Sequence, residues 1–263
     1  MDIDDARRMN QQFSSVVPNY TDILFAIPPG STKLTDADNV GSAVHLEHES
    51  NMLAITCNHV ATPGCNYFTN GRRLPTPQIP VDIDAMVPPV DVVSRSNPHD
   101  LAVLDTSELP LTKHGKNRYD LKKSSVVRYE SLKGKEGLAA YIYGTWAKHT
   151  PVHDYEDGVS YSEIVVFSSI GPIIDISKDV ITVDITEKDV LAVNQSANIP
   201  DEDKIPSGGS RDISGCSGCG LWIMCKEPIL AGTLVGPIVA TSTKHTTRCT
   251  PIWRTIELIT NIH

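Results

Sequence analysis

The sequence lacks a long hydrophobic run, an apolar N-terminal leader and an excess of basic residues. Its longest apolar stretch, 229–241, is interrupted by two glycines and a proline and is too short to span a bilayer. The first residues are acidic and no apolar segment follows them, so a secretory leader is not indicated. Lysine and arginine total 23 against 32 aspartates and glutamates, and this charge of −9 disfavours a nucleic-acid partner. These absences predict a cytoplasmic protein that contacts neither membrane nor nucleic acid.

Cysteine is present at six positions, 57, 65, 216, 219, 225 and 249. An even number of cysteines could form three disulfides in a secreted chain. Because no leader is apparent, we expect mostly reduced thiols. The remaining composition, with 40% hydrophobic and 21% charged residues over 263 positions, is typical of a globular protein with one large or two small β domains.

Runs of apolar and β-branched residues of strand length alternate with turn residues along most of the chain. Helical patterns do not alternate with these runs, which excludes a parallel α/β sheet. After Thr250, apolar residues recur at helical spacing and predict a C-terminal helix. The predicted organisation is an N-terminal tail or short helix (1–20), a first β unit (21–111), a basic linker (112–135), a second β unit (136–248) and the C-terminal helix (249–263).

The predicted linker differs in charge from the rest of the chain. It carries eight basic residues against Asp120 and Glu130. A solvated connection between the two β units accounts for this composition. The other interpretation is a docking strip for an acidic partner.

Three short segments combine polar residues with strand ends. The segment 54–60 is an apolar strand that ends in a turn with His59, and the segment 99–104 places Asp100 directly before an apolar strand. The third segment, 215–222, flanks Ser217 with glycines before another strand. Each pattern is common by itself, but the three together in the order His, Asp, Ser are hard to obtain by chance.

These residue types match the needs of nucleophilic catalysis. A serine hydroxyl needs a base within hydrogen-bond reach, and imidazole can take its proton and return it to the leaving group. A carboxylate holds the imidazole in the required tautomer. Backbone N–H groups in a tight turn can stabilise an oxyanion, and those of Gly215 and Ser217 are the natural donors. The sequence therefore predicts Ser217 as nucleophile, His59 as base and Asp100 as the orienting acid, with Asp105 as the fallback acid.

The same segments resemble those of the trypsin-like (chymotrypsin-fold) serine peptidases. Thr56-Cys57-Asn58-His59 is similar to the family's Thr-Ala-Ala-His, and Gly41-Ser42-Ala43 to its Gly-Ser-Gly. The segment 100–104 matches Asp-Leu/Ile-Ala-Leu, and 215–220 resembles Gly-Asp-Ser-Gly-Gly-Pro. The resemblance implies an all-β fold of two six-stranded β-barrels, with the site in the cleft between them. It also implies a serine endopeptidase that acts on proteins or peptides and needs no cofactor.

The departures from this pattern carry information of their own. Secreted members have an aspartate before the serine, which binds a newly cut N-terminus during activation, whereas this chain has Cys216. We therefore expect no activation by that switch. An intact site held in a resting state until a protein partner binds is a second hypothesis, with the polar loop 195–214 as the switch. A peptidase-fold module without catalysis is a third.

The sequence gives less information about substrate specificity than about the catalytic residues. The resemblance places Arg211 at the base of the primary pocket, where it would favour an acidic or polar side chain. A loop of different length would instead turn Arg211 to solvent. Val239, Ala240 and Thr241 would line the pocket and pair with the substrate backbone as an added strand.

Three other site chemistries are less consistent with the sequence. A cysteine peptidase of the same fold would have cysteine at position 217, and an α/β-hydrolase needs Gly-x-Ser-x-Gly followed by an aspartate. A structural zinc site could use Cys216 and Cys219 with Cys225 or His245, but a second Cys-x2-Cys pair is missing. No metal is therefore predicted.

Overall fold

The computed structural model describes residues 8, 11–28, 39–61, 66–68, 80–81, 90–109, 111, 116–145, 152–154, 160–162, 166–185, 215–236, 239–240 and 245–262. In this part of the chain, strands of the first half are β1 (Thr21–Ala26), β2 (Asn39–His48), β3 (Asn51–Cys57), β4 (Asn66–Phe68), β5 (Pro80–Val81), β6 (Val92–Ser96), β7 (Leu101–Asp105) and β8 (Tyr119–Asp120). Those of the second half are β9 (Ala139–Thr145), β10 (Val152–Asp154), β11 (Ser160–Ser162), β12 (Val166–Ile176), β13 (Ile181–Asp184), β14 (Gly220–Ile223), β15 (Ile229–Leu234), β16 (Val239–Ala240) and β17 (His245–Pro251). Residues 11–14 are helical. The helices that follow are two 3₁₀ segments (Val17–Asn19 and Leu121–Val126), α1 (Tyr129–Leu132) and α2 (Ile252–Thr260).

The first half folds as a six-stranded antiparallel sheet in the order β4-β1-β2-β3-β7-β6, with the short β8 parallel to β2. Residues on β3 alternate between two cores. Leu53 and Ile55 pack with the second half of the chain, whereas Ala54 packs inside the first sheet. Because both faces are buried, the strand is apolar almost throughout, as the sequence pattern predicted.

The second half closes into a barrel. Its strands follow the order β13-β12-β9-β14-β15-β17, and β17 pairs back to β13, with β16 on the other edge of β17. A six-stranded first sheet, a closed second sheet and a C-terminal helix confirm the predicted all-β fold, and the two sheets are called the first and the second barrel below. A third sheet of β10, β11 and β5 joins a segment of the first half to the second.

Strand β12 is longer than the sequence pattern predicted. The pattern indicates two runs, 163–168 and 173–176, whereas the structure has one strand with an irregularity between Ile173 and Asp175. Gly171 and Pro172 lie between the two predicted runs. Gly171 instead lies so close to Asp184 O that a Cβ could not fit, so the glycine permits the close approach of β13.

Helix α2 follows directly from β17 at Pro251 and confirms the predicted C-terminal helix. It buries Ile252, Thr255 and Ile259 on one face. The indole N–H of Trp253 donates to Lys178 O at 2.8 Å, which fixes the helix against the β12–β13 turn. No helix among the described residues is both long and apolar enough to cross a bilayer.

The described part of the basic segment, 116–135, is anchored by its apolar residues. Tyr119 and Leu121 are buried, and the Tyr119 hydroxyl accepts hydrogen bonds from Ser124 and from the amide of Leu230 in the second barrel. Lysines such as Lys122 face solvent. The bounds predicted for the linker and for the other segments remain predictions.

A buried charged cluster lies between β1, β2 and the chain before β8. His45 Nε2 is 3.3 Å from Asp22 Oδ2, and Lys116 Nζ is 3.9 Å from Asp22 Oδ1. Burial would raise the pKa of Asp22, but the charge of Lys116 and the contact with His45 outweigh it and lower that pKa. Burial lowers the pKa of His45, and its hydrogen bond to Asp22 only partly opposes this, while the charges of Lys116 and Arg118 add to the lowering.

Because of this cluster, we expect mild acid to destabilise the folded protein. Below about pH 6.5 the unfolded chain protonates His45 while the folded chain keeps it neutral, so stability falls by at most about 1.4 kcal/mol per pH unit. Asp22 adds a second loss once the pH falls below about 3.8, because its folded pKa is lowered. Urea unfolding at pH 7.5 and 5.5 measures the first loss. An equally steep loss in a folded His45→Asn variant would contradict the assignment to His45.

Candidate active site

The end of β3 holds the predicted histidine. The turn 58–60 follows Cys57, and its geometry is set by Asp100. The amide N–H of Asn58 donates to Asp100 O at 3.1 Å, and the amide N–H of His59 donates to Asp100 Oδ1 at 3.0 Å. His59 Nδ1 lies 2.6 Å from Asp100 Oδ2. One carboxylate therefore holds both the backbone and the ring of His59.

Asp100 reaches this position because β3 and β7 pair antiparallel, with Cys57 opposite Leu101. Its φ of +51° is in the left-handed region, which aspartate tolerates better than most residues. The turn before it is closed by the Asp100 amide donating to Asn97 O at 3.2 Å. From the second barrel, Thr250 Oγ1 donates to His99 O at 2.7 Å, so both barrels fix the Asp100 turn.

A second polar network, formed by Arg95, Asn58 and Asn97, also holds the turn that carries His59. Arg95 donates to Asn58 Oδ1 at 2.6 Å and to Ala61 O at 3.1 Å. Asn58 donates in turn to Asn97 Oδ1 at 2.8 Å. These contacts tie the histidine turn to the turn that carries Asp100.

The His59 side chain is accessible to a substrate. It is 51% exposed, and the Asp100 side chain is 31% exposed. The hydrogen bond to Asp100 raises the pKa of His59 more than partial burial lowers it. An imidazole with its Nδ1 proton held by a carboxylate presents Nε2 as the acceptor.

Ser217 is half-buried in a tight turn at the start of β14. Gly215 and Gly218 have φ of +94° and +90°, in the left-handed region that favours glycine. The turn closes through the amide of Cys219, which donates to Cys216 O at 3.0 Å. The Gly218 amide donates to Leu234 O at 2.8 Å and joins the turn to β15.

The turn at Ser217 packs against the first barrel. The amide of Ser42 donates to Ser217 O at 2.8 Å. A Cβ on Gly218 would lie inside van der Waals contact of Ser42 O and Thr56 Oγ1, so the backbone of this turn touches β2 and β3. The structure therefore brings all three predicted segments to one place. Among the described residues no direct hydrogen bond joins the Ser217 hydroxyl to His59, and such bonds are often long without substrate.

Ser42 has a role in the site that the sequence did not predict. Its hydroxyl donates to Gly215 O at 2.9 Å and accepts from the amide of Thr145 at 2.8 Å. It therefore links the first barrel to the Ser217 turn and to β9. Its position after Gly41 matched a family segment, but no local pattern indicates these two partners.

The other predicted site residues are placed as follows. Asp105 lies at the opposite end of β7 from Asp100, roughly 16 Å away along the strand, and its carboxylate accepts from the amide of Ser107. Val239 and Ala240 form β16, which pairs with β17. Arg211 and Thr241 lie outside the described residues.

The cysteines near Ser217 are buried thiols. Cys57, Cys216, Cys219 and Cys249 are all buried, whereas Cys225 is exposed. Burial raises the pKa of Cys57 and of Cys219 well above the ordinary value. In the described part of the chain, the group of side chains that could hold a metal ion with three ligands is Cys57, His59 and Asp100. It does not include Cys216 or Cys219, the pair of the less favoured zinc hypothesis.

Comparison with known proteins finds structural likeness only. No protein family and no curated protein matches the sequence. An inactive serine-to-alanine mutant of Rv3671c from M. tuberculosis H37Rv is 12% identical, with 97% of this chain and 92% of that chain covered and a TM-score of 0.49. The MamO protease domain from Magnetospirillum magneticum is 13% identical (93% and 97% covered, TM-score 0.45). A thermostable serine protease, AL20, from an extremophilic microorganism is 10% identical (93% and 97% covered, TM-score 0.48).

Proposed function

We propose that this chain, whose fold is that of the trypsin-like peptidases, is a serine endopeptidase. The observation that carries the proposal is the double hydrogen bond from His59 to Asp100, at 2.6 Å through the ring and 3.0 Å through the backbone. This arrangement fixes the orientation of an exposed imidazole. The glycine-flanked turn of Ser217 packs against β2 and against β3, the strand that leads into the His59 turn. A histidine with a merely structural role would not need an exposed ring with its Nδ1 bound to a carboxylate.

The proposed reaction begins with attack of Ser217 Oγ on the scissile carbonyl. His59 Nε2 takes the hydroxyl proton and then donates it to the leaving amine, which leaves an acyl-enzyme. Water, activated by the same imidazole, then releases the acid product and regenerates Ser217. Asp100 stabilises the imidazolium formed in each step and stays ionised.

The Ser217 turn supplies the proposed oxyanion hole. The amide N–H groups of Gly215 and Ser217 are the proposed donors, and the left-handed φ of Gly215 and Gly218 shapes the turn that carries them. The hydroxyl of Ser42 donates to the carbonyl oxygen of Gly215. That contact restrains the peptide plane next to the proposed donors, as preorganised stabilisation requires.

The proposed substrates are proteins or peptides in extended conformation. Strand β16 with Thr241 is the proposed edge on which the substrate backbone pairs, and Arg211 is the proposed determinant of an acidic or polar side chain. The reaction as proposed uses no cofactor and no metal ion. It also needs no membrane or nucleic acid.

Labelling with a fluorophosphonate probe tests the nucleophile. The probe phosphonylates an activated serine, so we expect wild-type protein to be labelled and Ser217→Ala not to be labelled. Ser125→Ala, which removes an exposed hydroxyl on the 3₁₀ segment Leu121–Val126, is the control for a serine outside the site, and it should still be labelled. Gel fluorescence after equal exposure measures all three.

Two outcomes of this experiment would contradict the proposal. Persistent labelling of Ser217→Ala would place the nucleophile elsewhere. Absence of labelling in the wild type, with native circular dichroism, would favour a resting site that awaits a protein partner, or a binding module without catalysis.

A further inference from the structure

Cys57 lies in the candidate site, yet the proposed reaction does not use it. Its Sγ, a ring nitrogen of His59 and a carboxylate oxygen of Asp100 all lie within 4.8 Å of one another. The Cys57 side chain is buried, whereas His59 is exposed and Asp100 half-buried, so two of the three groups are accessible from solvent. The candidate site therefore brings together a thiol, an imidazole and a carboxylate, which are three possible metal ligands.

The three groups are the ligands that zinc and cadmium prefer in proteins. Zinc–sulfur bonds of about 2.3 Å and zinc–nitrogen or zinc–oxygen bonds of about 2.0–2.2 Å place tetrahedral ligand atoms about 3.5 Å apart. The ligand atoms here already lie within 4.8 Å, and the His59–Asp100 pair, at 2.6 Å, would have to open by about 1 Å. Exposed side chains on turns can make that movement.

We propose that Cys57, His59 and Asp100 bind a thiophilic divalent cation such as Zn²⁺, which reversibly switches off the serine site. The inhibition, though not the binding, rests on the proposed function. Three protein ligands leave a fourth position for water, as in other open zinc sites. The ion would lie between the His59 ring and Asp100, where it replaces their direct hydrogen bond.

Inhibition follows from the tautomer of His59. An ion on Nδ1 requires that nitrogen to be unprotonated, so the ring proton moves to Nε2. Nε2 then carries a hydrogen and cannot accept the proton of Ser217. The metal also takes the carboxylate of Asp100 away from its role in stabilising the imidazolium.

The charges and protons of this step balance. Binding displaces the thiol proton of Cys57 to solvent, and the proton from His59 Nδ1 moves to Nε2. One divalent cation, one thiolate, one carboxylate and one neutral imidazole sum to zero charge, which limits the cost of a half-buried site.

The local hydrogen bonds permit Cys57 to turn towards the ion. Its thiol now donates to Leu234 O at 3.0 Å. The same carbonyl accepts from the amide of Gly218 at 2.8 Å, so it keeps a partner when the thiol leaves. The trypsin-like segment that 56–59 resembles has alanine at this position, so the thiol is a departure from the pattern.

Cadmium absorption tests binding without any need for activity. A Cd²⁺–thiolate bond absorbs in the ultraviolet, and titration of the Ser217→Ala protein with Cd²⁺ should report one site. We expect Cys57→Ala in that background to lose this absorption, with the apparent affinity reduced more than about 10-fold. Cys225→Ala, which removes an exposed thiol, is the matched control and should bind as before. Cys57→Ser is the second variant, since it keeps a donor for Leu234 O without a thiolate.

Zinc inhibition tests the consequence for the serine. In protein with Ser217 intact, the rate of fluorophosphonate labelling with Zn²⁺ is divided by the rate with a chelator, within each variant. We expect Zn²⁺ to suppress labelling at least about 10-fold in the wild type and in Cys225→Ala, but not in Cys57→Ala or Cys57→Ser.

The two readouts separate the possible failures. Unchanged cadmium absorption in Cys57→Ala would overturn the site, whether or not the protein is a peptidase. Loss of absorption in Cys57→Ala without any zinc effect on labelling would overturn the inhibition. A chain that is never labelled but shows Cys57-dependent absorption would retain the metal site and would contradict the proposed activity of the isolated chain.

Discussion

Replacing Asp100 with asparagine should lower kcat for peptide hydrolysis by about 10⁴-fold. The amide oxygen can still accept from the backbone N–H of His59, which now donates to Asp100 Oδ1 at 3.0 Å, so the turn keeps its shape. The amide NH₂ would face Nδ1 and donate to it, which leaves the ring proton on Nε2. That tautomer cannot accept the proton of Ser217, and no negative charge would stabilise the imidazolium.

The control for this variant is Asp105→Asn, at the other end of the same strand. Its carboxylate only accepts from the amide of Ser107 among the described contacts, so kcat should stay within about 2-fold. Hydrolysis of a fluorogenic peptide library by the two purified proteins measures the difference. A comparable loss in both variants, or none in Asp100→Asn, would show that Asp100 does not orient the base.

Replacing Gly218 with alanine should destabilise the protein by about 2–5 kcal/mol. Two costs combine at this position. The φ of +90° is unfavourable for a residue with a Cβ, at about 1–2 kcal/mol. The added methyl would also collide with the backbone oxygen of Ser42 and the hydroxyl of Thr56, which forces the Ser217 turn away from the first barrel.

Gly137 offers a matched control because it separates the two costs. Its φ is +94°, but a Cβ there would meet no heavy atom within 4 Å among the described residues. Gly137→Ala should therefore lose only about 1–2 kcal/mol. The free energy of unfolding from urea titrations of both variants gives the comparison. Equal losses would mean that contact between the Ser217 turn and the first barrel is not tight.

Local sequence predicted the strands around the site because they bury both faces. The runs in β3 and β7 are apolar since alternate side chains fill two different cores. What no local pattern encodes is that Cys57 pairs with Leu101, a register that sets Asp100 against His59 across 41 positions of sequence. The sequence pattern did not predict that β12 is one continuous strand. Gly171 lies in its middle, where it permits close contact with β13 and does not end the strand.

The residues that support the site could not be read from the sequence either. Ser42 and Thr250 are ordinary strand residues in composition, and each bonds a partner more than 100 positions away. The proximity of Cys57 Sγ to His59 and Asp100 also has no local signal, because it depends on the pairing of β3 with β7. Their roles depend on how the two halves of the chain pack.

The sequence by itself determined which chemical groups are available, which strands form and where glycine permits a tight turn. Those properties depend on side-chain chemistry, hydrophobic alternation and local backbone preference, all of which lie within a few residues. Only the tertiary structure decided that His59, Asp100, Ser217 and Cys57 lie in one place. Their approach depends on strand register and on contacts between two barrels, and such long-range contacts are selected by the packing of the whole chain.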